Sequence, residues 1–170
     1  MKLTTKQLVI MSILISMHVI LSRTLAIHIG DIIRISLAFL ITAIMATYFN
    51  LAWTIIACGV ADFLAAILFP TGTFFPGFTI SAMIDGFIYS IFLYRKQFSW
   101  WRIIIIKVLS LIIITMGLNS YWLSLLIGKS YIVLVIPRIT EGLIMLPIEI
   151  ILLGVLLKYL IPHLKLRLLI

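Results

Sequence analysis

Long apolar runs separated by short polar breaks constrain this chain more than any other feature of its sequence. A bilayer core is crossed by about 20 apolar residues of helix, so a chain of 170 residues can hold about six such spans. Only 11% of the residues are charged, against about 25% in a soluble globular domain. We therefore predict an all-α membrane protein, one domain over residues 1–170 with six transmembrane helices.

The boundaries of the spans follow from the prolines, glycines and charges that interrupt the apolar runs. The predicted spans are about Leu8–Ile27, Ile35–Phe49, Leu51–Phe69, Thr79–Tyr94, Ile103–Leu118 and Val133–Ile161. The last run is too long for one straight crossing. We expect Pro137 to mark its true start and Pro147 a kink, because proline removes a helical hydrogen bond.

Basic residues are distributed unevenly between the two sides that six spans define. The side with both termini holds eight: Lys2, Lys6, Arg95, Lys96, Arg102, Lys158, Lys165 and Arg167. The other side holds four: Arg23, Arg34, Lys129 and Arg138. Lys107 is set aside because it lies close enough to a loop to snorkel. The positive-inside rule then predicts cytoplasmic termini, with the first, third and fifth loops outside.

The stretch Phe69–Ala82, FPTGTFFPGFTISA, is the most unusual of these outer loops. Its two prolines and two glycines disfavour helix, while Phe74, Phe75 and Phe78 crowd a segment that is ordinarily polar. One interpretation is a wall or lid over a flat ligand. The other is a turn packed at the membrane interface, where aromatic side chains are common.

A second polar and aromatic cluster, LNSYWLSLLIG at 118–128, is predicted to lie in a loop just beyond the fifth span. Asn119 offers a donor and an acceptor side by side, and Trp122 offers a flat face. The alternative is an aromatic belt at the interface. Acidic residues are rare in membrane spans, and they usually face the interior of the bundle and have a partner there. We predict that Asp62 and Asp85 are structural residues of this kind.

Several function classes lack support in the sequence. No Ser-His-Asp, HExxH or Walker A pattern occurs, and the three histidines are too scattered for a metal site. The net charge of +8 lies at the membrane interfaces rather than on a soluble face, so we expect no nucleic acid partner. What remains is an outward-facing pocket with aromatic walls, an amide and an excess of arginine. Such a pocket suits a planar heterocycle that carries carboxylates.

The chain resembles the substrate-binding S components of energy-coupling-factor (ECF) vitamin transporters, most closely the folate-specific ones. The resemblance covers nearly the whole chain. It is carried by LSR at 21–23, RISLAFL at 34–40, ADFLAAILFPTG at 61–72, FFPGFTISA at 74–82, LNSYWLSLLIG at 118–128 and RITEGLIMLPIE at 138–149.

The resemblance implies an ECF S-component fold in a bacterial cell membrane, with a vitamin pocket near the outer side. It also implies a transmembrane coupling protein and two cytoplasmic ATPases as partners, so the chain itself is not expected to be an enzyme or to need a cofactor. Ser12 and Ser16 stand where the family has small residues, usually alanines, that face the coupling protein. They keep the small-xxx-small spacing that lets helices approach closely.

Carried onto this sequence, the resemblance implies a folate site. The pterin ring would lie among four aromatic side chains: Phe74, Phe75, Phe78 and Trp122. Asn119 would hydrogen-bond the edge of the ring, and the glutamate end would lie near Arg23 or Arg34. Arg138 is either a ligand group or the partner of Glu141, three residues further along a helix.

Two other functions stay open at this point. An S component for another heterocyclic vitamin, such as riboflavin or a thiamine precursor, has the same architecture. A small integral membrane enzyme would need ionisable residues clustered within one leaflet. The excess of arginine on the outer side favours an anion such as folate over a cationic substrate.

Overall fold

The computed structural model of the chain describes residues 4–24, 27–29, 33–70 and 73–160, with only the backbone given at 27–29, 33–35 and 160. Within these ranges the predicted architecture of six helices is confirmed, with one short β-hairpin added. The helices are α1 Thr5–Arg23, α2 Ala38–Tyr48, α3 Leu51–Leu68, α4 Pro76–Leu93, α5 Trp100–Ile127 and α6 Tyr131–Val155. A π-helical turn, Leu156–Leu160, continues α6. All of these helices except α2 are long and apolar enough to cross a membrane.

Helix α2 is the short element at the centre of the bundle. Its 11 residues extend about 16 Å at 1.5 Å per residue, which is less than a bilayer core. Every residue from Ile41 to Ala46 is buried. A helix that is apolar on all sides is stable when other helices surround it, and α2 packs against α1, α3, α4 and α6.

The first connection is more ordered than the predicted loop. Strands β1 Ile27–Ile29 and β2 Ile33–Ile35 pair antiparallel, with Ile27 opposite Ile35 and His28 opposite Arg34. Residues 30–32 lie outside the described residues. The hairpin connects α1 to α2 at the end of α2 that carries Ala38.

The break between α3 and α4 is shorter than predicted. Helix α4 begins at Pro76, three residues before the expected Thr79. Proline is favoured at the first position of a helix, where a backbone N–H has no acceptor within the helix. Phe78 therefore sits in the first turn of α4 rather than in a loop. Further along, Gly86 lets α4 approach α3, since a Cβ there would lie 2.8 Å from the Cys58 sulfur.

Helix α5 corrects the prediction that the fifth span ends at Leu118. The helix continues to Ile127 through a π-helical segment, Ser110–Asn119. The Ser120 hydroxyl donates a 2.7 Å hydrogen bond to the Thr115 carbonyl inside the helix. The 118–128 cluster therefore lies mostly on a helix, and not in a loop.

Helix α6 corrects a second boundary. It begins at Tyr131, so Pro137 is an interior residue and the prediction that it starts the helix was wrong. Pro147 is also interior. Membrane helices tolerate such prolines because neighbouring groups can satisfy the carbonyls that lose their partners.

Candidate functional site

A cavity of about 380 Å³ lies between α1, α2, α4, α5 and α6. Its lining is rich in polar side chains although it lies inside a bundle of apolar helices. The side chains fall into two groups. The aromatic end comprises Phe78, Asn119 and Arg138, and the ionic end comprises Asp85, Tyr89, Lys107, Ser110 and Glu149.

The two ends are separated along each helix that contributes to both. Asp85 lies seven residues after Phe78 on α4, which is a rise of about 10 Å along the helix. Tyr89 lies eleven residues after Phe78, a rise of about 16 Å. On α6, Glu149 follows Arg138 by eleven residues, again about 16 Å. The cavity is therefore long enough for an elongated ligand to touch both ends.

The aromatic end is supported by rings packed behind Phe78. The Phe75 ring lies 6.3 Å from the Phe78 ring and 5.5 Å from the Trp122 ring, measured between centroids. The Trp122 indole N–H donates to the Ser81 hydroxyl at 3.1 Å. A Cβ added at Gly77 would lie 2.5 Å from Trp122 and 2.6 Å from Phe75, so only glycine fits beneath the two rings.

Two buried polar atoms at the aromatic end have no hydrogen-bond partner within the described part of the chain. They are Oδ1 of Asn119 and Nε of Arg138. Buried polar groups in proteins are nearly always hydrogen-bonded, and an unmade bond costs about 1–3 kcal/mol of stability. Since both residues line the cavity, a ligand that supplies a donor to Asn119 and an acceptor to Arg138 would remove this cost.

The ionic end is built around Lys107, whose side chain is only 5% exposed. Its Nζ lies 2.9 Å from Oε2 of Glu149 and donates to the Tyr89 hydroxyl at 3.0 Å. It also lies 4.0 Å from the centre of the Phe39 ring. The expectation that Lys107 snorkels to the interface was wrong, because an anion, a hydroxyl and an aromatic face bind its ammonium group inside the bundle.

Asp85 is the second functional candidate that the sequence did not identify. The Ser110 hydroxyl donates a 2.5 Å hydrogen bond to Oδ1 of Asp85, and both residues line the cavity. An ionisable residue in a membrane span marks a functional site by default. That signal was present at Asp85, Lys107 and Glu149, but the sequence did not reveal that the three side chains share one cavity.

The other predicted site residues lie away from the cavity lining. Arg23 ends α1, where Asp62 attracts it electrostatically. Asp62 also accepts a 3.0 Å hydrogen bond from Thr79 and thus ties α3 to α4. Phe74 packs edge-on against Phe63, with 5.7 Å between ring centroids.

Two further predicted residues lie on the surface, and the side chain of a third is not described. Ser12 and Ser16 are exposed on α1, and their hydroxyls donate to carbonyls one turn earlier in the same helix. The backbone of Arg34 lies in β2, but its side chain is outside the described residues. Within the described ranges, no group of three or more His, Cys, Asp or Glu could hold a metal ion.

Residues 6–157 match the family model described as ECF transporter, substrate-specific component. The chain is 33% identical over 156 residues to a protein named folate transporter FolT from Leuconostoc mesenteroides subsp. mesenteroides, covering 88% of this chain and 83% of that protein. It is 32% identical over 142 residues to a protein of the same name from Clostridium novyi, covering 84% and 82%. A crystal structure of FolT bound with folic acid superposes with a TM-score of 0.86 at 32% identity, covering 91% of this chain and 94% of that one.

Proposed function

This chain belongs to the substrate-specific components of ECF transporters, and we propose that it binds folate for a bacterial vitamin importer. The observation that carries the proposal is the cavity, which lies in a fold that superposes on folate-bound FolT with a TM-score of 0.86. Relatives named as folate transporters are similar over most of the chain.

Folate is an elongated molecule with a heterocyclic ring at one end and two carboxylates at the other. We place the carboxylates at the aromatic end, where Arg138 offers a buried guanidinium with an unbonded Nε. Arginine binds carboxylates in a bidentate fork. Arg34 remains part of this proposal, whereas Arg23 does not line the cavity.

The amide and the rings of the aromatic end complete the proposed contacts. Asn119 accepts a hydrogen bond from the ligand through its buried Oδ1, and Phe78 packs against the ligand. Phe75 and Trp122 do not line the cavity. Phe75 packs against Phe78 and Trp122 packs against Phe75, so the two rings support the position of Phe78. Phe74 packs against Phe63 and does not line the cavity.

We further propose that the chain hands folate to an ECF module made of a transmembrane coupling protein and two cytoplasmic ATPases. ATP hydrolysis then belongs to the partners, and this chain is a binding subunit with cytoplasmic termini. The family supports the module. The exposed face of α1 with Ser12 and Ser16 supports a helix contact, because their hydroxyls already donate within α1 and small side chains permit close approach.

The proposal is tested by titrating the purified chain with folate, riboflavin and thiamine and following tryptophan fluorescence. We expect saturable quenching by folate alone. Asn119→Ala removes one acceptor and should weaken folate binding about 2- to 10-fold. The matched control is Asn50→Ser, which keeps a side-chain acceptor at the start of α3 and lies outside the cavity.

The alternative outcomes identify what has failed. Tight binding of riboflavin or thiamine in place of folate would retain the vitamin carrier and reject the folate assignment. If none of the three ligands binds to chain that circular dichroism shows to be helical, the vitamin-binding function is wrong.

A further inference from the structure

Asp85 differs from the other ionisable side chains at the ionic end because no basic side chain is paired with it at contact distance. Lys107 makes its short contacts with Glu149 and Tyr89. Asp85 accepts one hydrogen bond, from the neutral hydroxyl of Ser110, at Oδ1. No described residue hydrogen-bonds its other oxygen, Oδ2. A carboxylate inside a membrane bundle is costly without partners, so its oxygens are suited to a ligand that brings hydrogen-bond donors.

The nearby carboxylate of Glu149 is less suited to this task. Its Oε2 forms the 2.9 Å contact with Lys107, which itself is almost completely buried. Removing Glu149 from that contact to bind a ligand would leave a buried ammonium group without its anion, at a large cost in stability. Asp85 can accept further bonds without breaking the one from Ser110, because a carboxylate has about four acceptor positions.

We propose that Asp85 is the specificity-determining residue that binds the 2-amino and N3–H edge of the pterin ring; this rests on the proposed folate function. The neutral pterin presents these two donors side by side. The distance between these two donors matches the distance between the two oxygens of one carboxylate. The paired N–H groups of arginine bind a carboxylate in the same way. Oδ2 accepts from one donor, and Oδ1 accepts from the other while it keeps its bond from Ser110.

The proposal fixes the orientation of the ligand in the cavity. Asp85 lies about 10 Å beyond Phe78 along α4, so the pterin occupies the ionic end and the glutamate stays near Arg138. The ring therefore lies deeper than the aromatic cluster in which the sequence placed it. Phe78 then faces the middle of the ligand rather than the pterin.

The same carboxylate leads us to expect that the site rejects another heterocyclic vitamin, riboflavin. The corresponding edge of the riboflavin ring has one N–H between two carbonyl groups. A bound flavin would place at least one carbonyl oxygen against Asp85, and two acceptors without a proton between them repel each other. Binding sites often gain specificity because a competing ligand leaves polar groups of the site without a hydrogen-bond partner.

The experiment compares two ligands on matched variants of the full-length chain. The ligands are folate and 2-desaminofolate, which lacks only the exocyclic amino group. We expect the unchanged chain to bind folate about 10- to 100-fold more tightly than the analogue. Asp85→Asn should weaken folate binding by a similar factor, because the amide of asparagine replaces one carboxylate oxygen, an acceptor, by a donor. Binding of the analogue should change by no more than about 3-fold, because the analogue lacks the amino group that would need the second acceptor.

Two control variants separate recognition from packing. Asp62→Asn changes an acid of α3 that is bonded to Thr79 outside the cavity, and it should leave both affinities unchanged. Ser110→Ala removes the internal hydrogen bond of Asp85 but keeps the carboxylate, so the preference for folate over the analogue should persist. The preference of the unchanged chain can be measured even if Asp85→Asn does not fold.

The proposal is overturned if the unchanged chain binds both ligands equally, or if Asp85→Asn weakens both by the same factor. The second result would make Asp85 a structural residue only. If the unchanged chain binds neither ligand, the folate function itself is wrong. These outcomes distinguish failure of the inference from failure of the function on which it rests.

Discussion

The two ends of the cavity satisfy their polar groups in opposite ways. At the ionic end Lys107 already has an anion and a hydroxyl within 3.0 Å. At the aromatic end the buried Oδ1 of Asn119 and Nε of Arg138 have no hydrogen-bond partner among the described residues. The ion pair of the ionic end is therefore assembled without a ligand, whereas we propose that a ligand completes the aromatic end.

This difference predicts where mutations affect stability and where they affect binding. Changes to Lys107 or Glu149 should destabilise the fold whether or not folate is present. Changes to Arg138 or Asn119 should weaken binding and leave the empty protein nearly as stable. Asp85 is the exception at the ionic end, because no described residue hydrogen-bonds its second oxygen, which we propose binds the ligand.

The largest expected effect is on stability, from Lys107→Met. Removing the lysine leaves the Glu149 carboxylate without its cation. Because that side chain is 34% exposed, we expect a cost of about 3 kcal/mol, the lower end of the range for a buried pair. Chemical unfolding in detergent micelles measures the loss. The matched control is Lys96→Met, an exposed lysine, with an expected change within about 0.5 kcal/mol. Equal losses for the two variants would contradict the assignment of Lys107 to a buried pair.

The next largest effect is on affinity, from Arg138→Gln. A lost charge-assisted bond should weaken folate binding about 10- to 100-fold. Pteroic acid, which is folate without its glutamate, should bind the variant and the unchanged chain about equally. Calorimetry with both ligands makes the comparison, and Arg102→Gln, outside the cavity, serves as the control. A parallel loss of pteroic acid binding would show that Arg138 does not bind the glutamate.

A smaller effect on stability is expected from Gly77→Ala. The added methyl would overlap Trp122 and Phe75, and overpacking of this kind costs about 1–3 kcal/mol. Thermal unfolding measures the shift. Gly128→Asn is the control, because nothing lies within 4 Å of that position and asparagine tolerates its positive φ of 71°. If both variants unfold at the same temperature, the rings do not pack on Gly77 as described.

The smallest effect is expected from Trp122→Phe. This change keeps a ring against Phe75 but removes the bond to Ser81, which should cost about 0.5–1.5 kcal/mol of stability. Trp101→Phe is the control, because that ring is 75% exposed. Urea titration of both variants distinguishes them. A Trp122→Phe variant as stable as its control would show that the indole N–H bond contributes nothing.

The sequence was sufficient for the features that depend on residues close together in the chain. Apolar runs and their breaks predicted the six helices. Of the aromatic residues near Pro76 that were predicted to bind a ligand, Phe78 lines the cavity. Phe78, Asn119 and Arg138 were all identified before the structure placed them on one cavity. Their side chains carry distinctive chemistry. Phe78 lies in the first turn of α4, whereas Asn119 and Arg138 lie inside α5 and α6.

The remainder depends on contacts between distant segments. Nothing near Lys107 in the sequence indicates that Glu149, on the next helix, lies 2.9 Å away. The 118–128 cluster looked like a loop because Gly117, Asn119 and Ser120 disfavour helix. In the structure a π-helical segment and the bond from Ser120 to Thr115 continue α5 through it. Hydrogen bonds inside a membrane helix override weak local preferences.

A crystal structure of the chain with folate would show directly where and in which orientation the ligand binds. We predict that folate lies within the cavity, with its glutamate beside Arg138 and its pterin beyond Phe78. The 2-amino nitrogen should lie about 3 Å from an Asp85 carboxylate oxygen. Folate bound outside the cavity, or bound inside it with the glutamate beside Lys107 and the pterin beside Arg138, would contradict the account.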